Sequence, residues 1–274
     1  MGVALETISS YVTLANTGDY EAMAPTPGDS LTVRAFNNST ACLLEAWGIS
    51  SDSKALVDIR SPRLHDNVRG MLMAIMALNP GGAGTNAGQL LFPGGAAQPY
   101  YSSDPLVVEG NGTAASDIVL CQTIYYADLP GSAANLHTWA EIKPRIKNYV
   151  GILVQPVASA TPGLRGASVA LNSIDARLKA DTQYAYLGAL TDTPVTLIGL
   201  TGADTGNYRI GVPGIWDPAK TRDWLLTQSL RENLPLIPVI NANNQGSTNI
   251  DLVDAEASTA PNVTLWFAEL SGTF

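Results

Sequence analysis

The chain has 274 residues, of which 46% are hydrophobic and only 14% charged, and its formal net charge is −9. A length of this order accommodates one large domain or two of ordinary size, and the charged share lies well under the roughly 25% of soluble domains. The acidic balance excludes wrapping of a phosphate backbone, which draws affinity from Lys and Arg displacing counterions, so no sequence-specific nucleic-acid binding is expected.

Residues 1–27, ending in Ala24-Pro25-Thr26-Pro27, read as an extended N-terminal arm. Residues 28–131 read as a first β-sandwich. Ser30 to Phe36 alternates strictly, as a half-buried strand does, and Ala41 to Ile49 is a continuous apolar run, as in a strand covered on both faces. Ala55 to Ile59 follows as a third strand. From Asp66 the period changes: Val68, Met71, Leu72, Ile75 and Leu78 fall at helical spacing, and Asn79-Pro80-Gly81-Gly82 stops the run. Strands resume at Gln89 to Phe92, Leu106 to Val108 and Asp117 to Leu129.

Residues 132–148 read as a connection and 149–274 as a second β-sandwich. Its strands are Val195 to Leu200 and Tyr208 to Val212. A helix then opens at Asp217-Pro218 and closes at Asn233 and Pro235. Strands return at Leu236 to Ile240, around Ile250 to Val253, and from Asn262 to Leu270.

The two halves repeat. Thr123-Ile124-Tyr125-Tyr126-Ala127-Asp128-Leu129-Pro130-Gly131 lies against Thr264-Leu265-Trp266-Phe267-Ala268-Glu269-Leu270-Ser271-Gly272, with identical or like residues at every place but one. The order of strands, helix and strands is shared, which predicts an internal duplication with the helices at Asp66 and Asp217 in equivalent places.

No group of residues reads as a catalytic, cofactor or metal site, and the chain is expected not to be an enzyme. Cys42 and Cys121 lie in apolar strand segments and read as buried free thiols. Gly82-Ala83-Gly84 with Gly88 lacks the Lys and Ser/Thr of a phosphate loop and follows a helix instead of a strand, so it reads as an exposed loop. His65 is explained by its place at a helix start and His137 by its place in the connection. Asp251, Asp254 and Glu256 lack the spacing and central Gly of a calcium loop and read as a solvated strand edge. The sequons at Asn38, Asn111 and Asn262 matter only on a glycosylating route. No apolar run spans a bilayer, and Met1 to Glu6 shows no basic stretch before an apolar one, so no export signal is expected.

Many short strands with turn-rich joins predict a mainly β fold: two tandem jelly-roll-like antiparallel β-sandwiches, each with one inserted helix. In length, tandem duplication, a helix interrupting each strand set and a last strand at Asn262 to Leu270, the chain resembles the double jelly-roll major capsid proteins of tailless icosahedral viruses. That resemblance implies self-assembly into a virion shell, most simply as a homotrimer whose six like units give a pseudo-hexagonal outline, beside other virion proteins and without a cofactor. With at most seven strand candidates, the first half falls short of the eight strands of a full jelly roll. The alternatives are a phage tail-tube or other virion protein, and a carbohydrate-binding or cell-surface module using Tyr100, Tyr101 and Trp216.

Overall fold

The computed structural model describes residues 3–32, 42–51, 55–61, 75–77, 88–91, 98–99, 104–112, 114–128, 134–214 and 221–274. In the first half the strands are β1 (Val3–Thr13), β2 (Glu21–Ala22), β3 (Ala24–Pro25), β4 (Cys42–Ser50), β5 (Ala55–Arg60), β6 (Ile75–Ala77), β7 (Gly88–Leu91), β8 (Gln98–Pro99), β9 (Val107–Gly112) and β10 (Ile118–Asp128). In the second they are β11 (Leu136–His137), β12 (Ile146–Val154), β13 (Val169–Ala170), β14 (Gln183–Thr191), β15 (Val195–Thr201), β16 (Ile210–Gly214), β17 (Ile237–Asn241), β18 (Asn249–Val253) and β19 (Val263–Leu270). Helix α1 (Trp139–Ile142) lies in the connection and α2 (Trp224–Glu232) between β16 and β17.

Each half is a pair of antiparallel sheets. In the first, the order β3-β1-β10-β4-β7, with β8 also on β4, faces β2-β9-β5-β6. In the second, β11-β17-β14-β19-β12 faces β13-β18-β15-β16. Numbering the eight principal strands of each half in chain order, both halves place first, eighth, third and sixth in one sheet and second, seventh, fourth and fifth in the other: β1-β10-β4-β7 with β2-β9-β5-β6, and β12-β19-β14-β17 with β13-β18-β15-β16. This is the jelly-roll order twice over.

The register makes the likeness closer. β4 begins at Cys42 and its counterpart β14 at Gln183, 141 positions on, the offset that also separates Thr123 from Thr264. Both strands carry a bulge against the last strand of their sandwich, with Leu44 skipped in one pairing and Leu187 in the other. A bulge leaves its extra residue unpaired and bends the strand locally.

The strand that completes the first sandwich is β1. Expected as part of an arm, Val3–Thr13 instead pairs with β10 along its whole length, from Val3 opposite Asp128 to Thr13 opposite Ile118. Thr7, Ser9 and Ser10 interrupt its apolar signal, yet all three are buried. The predicted helix from Asp66 meets a second correction. Ile75–Ala77 is a strand paired with Ala55–Val57, and residues 62–74 lie outside the described residues. The expected helix starts at Asp66 and Asp217 both lie outside the described residues, so their equivalence is not described. Residues 33–36 of the predicted first strand, most of the Gly-rich stretch and Asp217-Pro218 itself also fall outside the described residues. Asn233 closes α2 as expected, in a left-handed conformation at φ 53°.

The sheet built on β1, β10 and β4 is buried on both sides, as the continuous apolar run of β4 predicts. Ala4, Ile8, Ala46, Val119 and Cys121 face Val57, Ile59 and Val108 of the partner sheet. From the opposite side Leu5, Trp47, Ile49, Leu120 and Ile124 join one continuous core with the second sandwich, including Tyr186, Leu197, Val212 and Phe267. The two sandwiches therefore share an interior. The outer face of the β14 sheet is covered by α1 and α2, which bury Ile142, Ala185, Leu187, Val239 and Ala268.

Candidate functional site

Strand alternation decides which residues meet the second sandwich. Odd positions of β1 and even positions of β10 point that way, so Thr7, Ser9 and Gln122 arrive at the joint beside Leu5 and Leu120. Buried polar groups must find partners there. The Thr7 backbone N–H donates to the Arg209 carbonyl at 2.7 Å, and Gly211 N–H donates to Thr7 Oγ1 at 2.8 Å. Thr26 Oγ1 donates to the Gly163 carbonyl at 3.0 Å.

At the centre are four charges. Arg209, which precedes β16, pairs with Asp29 from the first sandwich and with Asp251 on β18 at 3.4 Å. Arg165, half-buried, reaches Asp29 at 2.6 Å and Asp251 at 3.7 Å. Ser9 ties the first sandwich in: its N–H donates to Asp29 Oδ2 at 2.8 Å, its hydroxyl donates to Gln122 Oε1 at 2.5 Å, and Arg209 Nη2 donates to its hydroxyl at 2.9 Å. Burial pushes the Asp251 carboxyl up and the Arg209 guanidinium down from their ordinary values, against the pull of the opposite charges. With two positive and two negative groups in mutual contact, the cluster is a set of ties. A polar cavity of about 120 Å³ beside it, lined by Glu6, Asp29, Arg165, Tyr208 and Arg209, has the size to hold water.

A second joint lies at α2. Glu45 of β4 is fully buried and accepts from Gln228 Nε2, with Arg231 at 3.6 Å. Trp47 Nε1 donates to the Thr196 carbonyl at 3.0 Å, and the Trp47 ring meets Trp224 edge-on with centroids 6.0 Å apart. These contacts fix the angle between the sandwiches with directional bonds as well as apolar packing.

The acidic run is placed differently from expectation. Asp251 and Asp254 are buried and only Glu256 is exposed, so the run is no solvated edge. Asp254 accepts from the Ala255 N–H at 2.8 Å and Thr196 Oγ1 at 3.3 Å, and burial pushes its carboxyl up to about 6. No group of three His, Cys, Asp or Glu side chains suited to a metal occurs among the described residues. Cys121 is a buried free thiol whose pKa burial raises. His137 stacks on Phe274 with centroids 3.5 Å apart, and burial pushes its imidazole down. Asn262 bonds Asp192 through its backbone N–H and side-chain amide, and Asn111 bonds the Gly18 carbonyl. His65, Asn38, Tyr100, Tyr101, Trp216 and the loop at Gly82-Ala83-Gly84 lie outside the described residues.

The sequence matches no protein-family model and no curated protein. Among solved structures it is similar to the PBSX exported protein XepA, at 9% identity over 97% of this chain and 86% of that one with a TM-score of 0.27. It is also similar to the STIV MCP, at 8% identity over 98% and 97% with a TM-score of 0.18. A third is BpGH86A, a β-porphyranase of glycoside hydrolase family 86 from the human gut bacterium Bacteroides plebeius, at 10% identity over 93% and 39% with a TM-score of 0.15. Scores of this size carry no argument.

Proposed function

We propose that the chain is a structural protein, built by internal duplication, that assembles with copies of itself. Within that class we read it as the major capsid protein of a virion shell. The observation that carries the reading is the same eight-strand order in both halves, locked at one relative orientation by the Arg209 cluster and the Glu45 joint. A shell subunit needs a fixed shape, since every error in the angle between its units is passed on to its neighbours. Two like sandwiches per chain favour a trimer with six similar faces. The low charge content favours wide contacts, because few ions are stranded when such a surface is covered.

On this reading the protein has no catalytic role, resides in the virion and is made in the host cytoplasm, and its partners are its own copies and other virion proteins. The deployment of buried Arg209, Asp29, Asp251 and Glu45 as ties supports the non-enzymatic part. Electron microscopy and light scattering of the purified chain test it. Trimers and curved or closed arrays are expected. A monomer at every concentration, with no particles, overturns the reading.

A further inference from the structure

Strand β12 forms an edge of the β14 sheet. There Tyr149 stands 46% exposed. Tyr149 is opposite Ala268 and Gly151 opposite Trp266, so Tyr149 and Trp266 are diagonal neighbours on one face. Their rings are parallel to within 4°, with centroids 5.9 Å apart. A Cβ at position 151 would meet Thr264 Cγ2 at 2.9 Å and the indole at 3.7 Å, so glycine there leaves the Trp266 ring free to lie along the strand.

Two hollows flank Tyr149. One, of about 270 Å³, is lined by Trp139, Leu187, Leu226, Trp266 and the Arg222–Asp223 pair, whose nitrogen and oxygen are 3.1 Å apart. The other, of about 380 Å³, is bordered by Asn148, Arg177, Lys179 and Glu269. Lys179 Nζ donates to both Glu269 oxygens, at 2.9 and 3.0 Å, and Arg177 is paired with Asp175. Each cation at the rim already has its own carboxylate.

We propose that this cleft binds a neutral oligosaccharide, laid across Tyr149 from one hollow to the other. Aromatic faces are electron-rich and attract the C–H-bearing face of a pyranose ring. The rim offers donors beside acceptors, Arg222 with Asp223 and Lys179 with Glu269, an arrangement that matches neighbouring hydroxyls, which need both. A phosphate, sulfate or uronate would find every cation neutralised. The cleft is distinct from the joints between the sandwiches, since none of its residues takes part in them, and sugar binding there is read separately from self-association.

Calorimetry and tryptophan fluorescence with cellohexaose, xylohexaose, mannohexaose and maltohexaose, beside hexasaccharides of hyaluronan and heparin, test the proposal. At least one neutral sugar is expected to saturate the protein at millimolar concentration or below. Tyr149→Ala should weaken that binding about tenfold and Tyr149→Phe should leave it nearly unchanged, since the ring face does the work. Unchanged melting temperatures show that both variants fold. Failure of all four neutral sugars, tighter binding of an anionic one, or indifference to Tyr149→Ala overturns the proposal. So does a Tyr149→Ala variant that loses self-association while the parent binds no sugar, which assigns the cleft to contacts between copies.

Discussion

Arg209 and Asp29 belong to different sandwiches, yet they form an ion pair in which both side chains are almost wholly buried. A buried pair is no proof of stability, but removing one partner strands the other away from water. Arg209→Ala leaves Asp29 and Asp251 facing each other with only half-buried Arg165 between them. It is expected to cost about 3–5 kcal/mol in urea unfolding. Because the two sandwiches share one core, the parent chain should unfold in a single calorimetric transition. Two well-separated transitions in the parent would contradict the shared interior.

Gly211 tests the same joint by shape. A Cβ there would come within 2.3 Å of Leu197 Cδ1 and 2.9 Å of Thr7 Cγ2, both held in the joint. Gly211→Ala should destabilise by about 1–3 kcal/mol, the usual cost of overpacking. Gly246, exposed and with only Asn172 Nδ2 near at 3.8 Å, serves as control, and Gly246→Ala should stay within about 0.5 kcal/mol. Equal effects at the two positions would show that the sandwiches do not meet as described.

Much of this architecture is legible in the sequence because sheet pairing needs local apolar runs. Ala41 to Ile49, Asp117 to Leu129 and Asn262 to Leu270 announce β4, β10 and β19, and the matched terminal segments lie 141 positions apart, as the starts of β4 and β14 do. The strand missing from the first sandwich is β1, hidden because Thr7 and Ser9 serve a joint with residues two hundred positions away. The same distance hides the burial of Asp251, whose partners Arg165 and Arg209 no local window connects to it. At Ile75 a helical spacing of apolar residues misleads, since Ile75, Met76 and Ala77 satisfy a strand beside β5 equally well. The aromatic cleft joins Tyr149 to Trp266 through register alone, a relation that spacing along the chain does not express.

Trp47 combines packing with a hydrogen bond, and two substitutions separate them. Trp47 is fully buried between the sandwiches, so Trp47→Ala should cost about 3–5 kcal/mol. Trp47→Phe keeps much of the volume but removes the donor to the Thr196 carbonyl, and about 1–3 kcal/mol is expected for the acceptor left behind. A phenylalanine variant as stable as the parent would mean that the Thr196 carbonyl finds another donor.

Asp254 gives stability a pH dependence of definite sign. Its carboxyl is held up at about 6 in the folded protein by burial, against about 3.9 in an unfolded chain. A raised acid means that the folded state holds the proton more tightly, so stability is greatest below the unfolded value. It is lost as pH rises between the two, and is constant again above the folded one. Asp254→Asn removes the ionisation while an amide oxygen can still accept from the Ala255 N–H. The variant should therefore match the parent near pH 4 and exceed it above about pH 6.5 by about 1–3 kcal/mol, the upper figure being two pH units of differential binding. Urea unfolding of both proteins across that range measures the difference. Parallel curves would place the origin of any acid stabilisation outside Asp254, whereas a gap that opens between pH 4 and 6 and then stays constant assigns it to the buried carboxylate that follows β18.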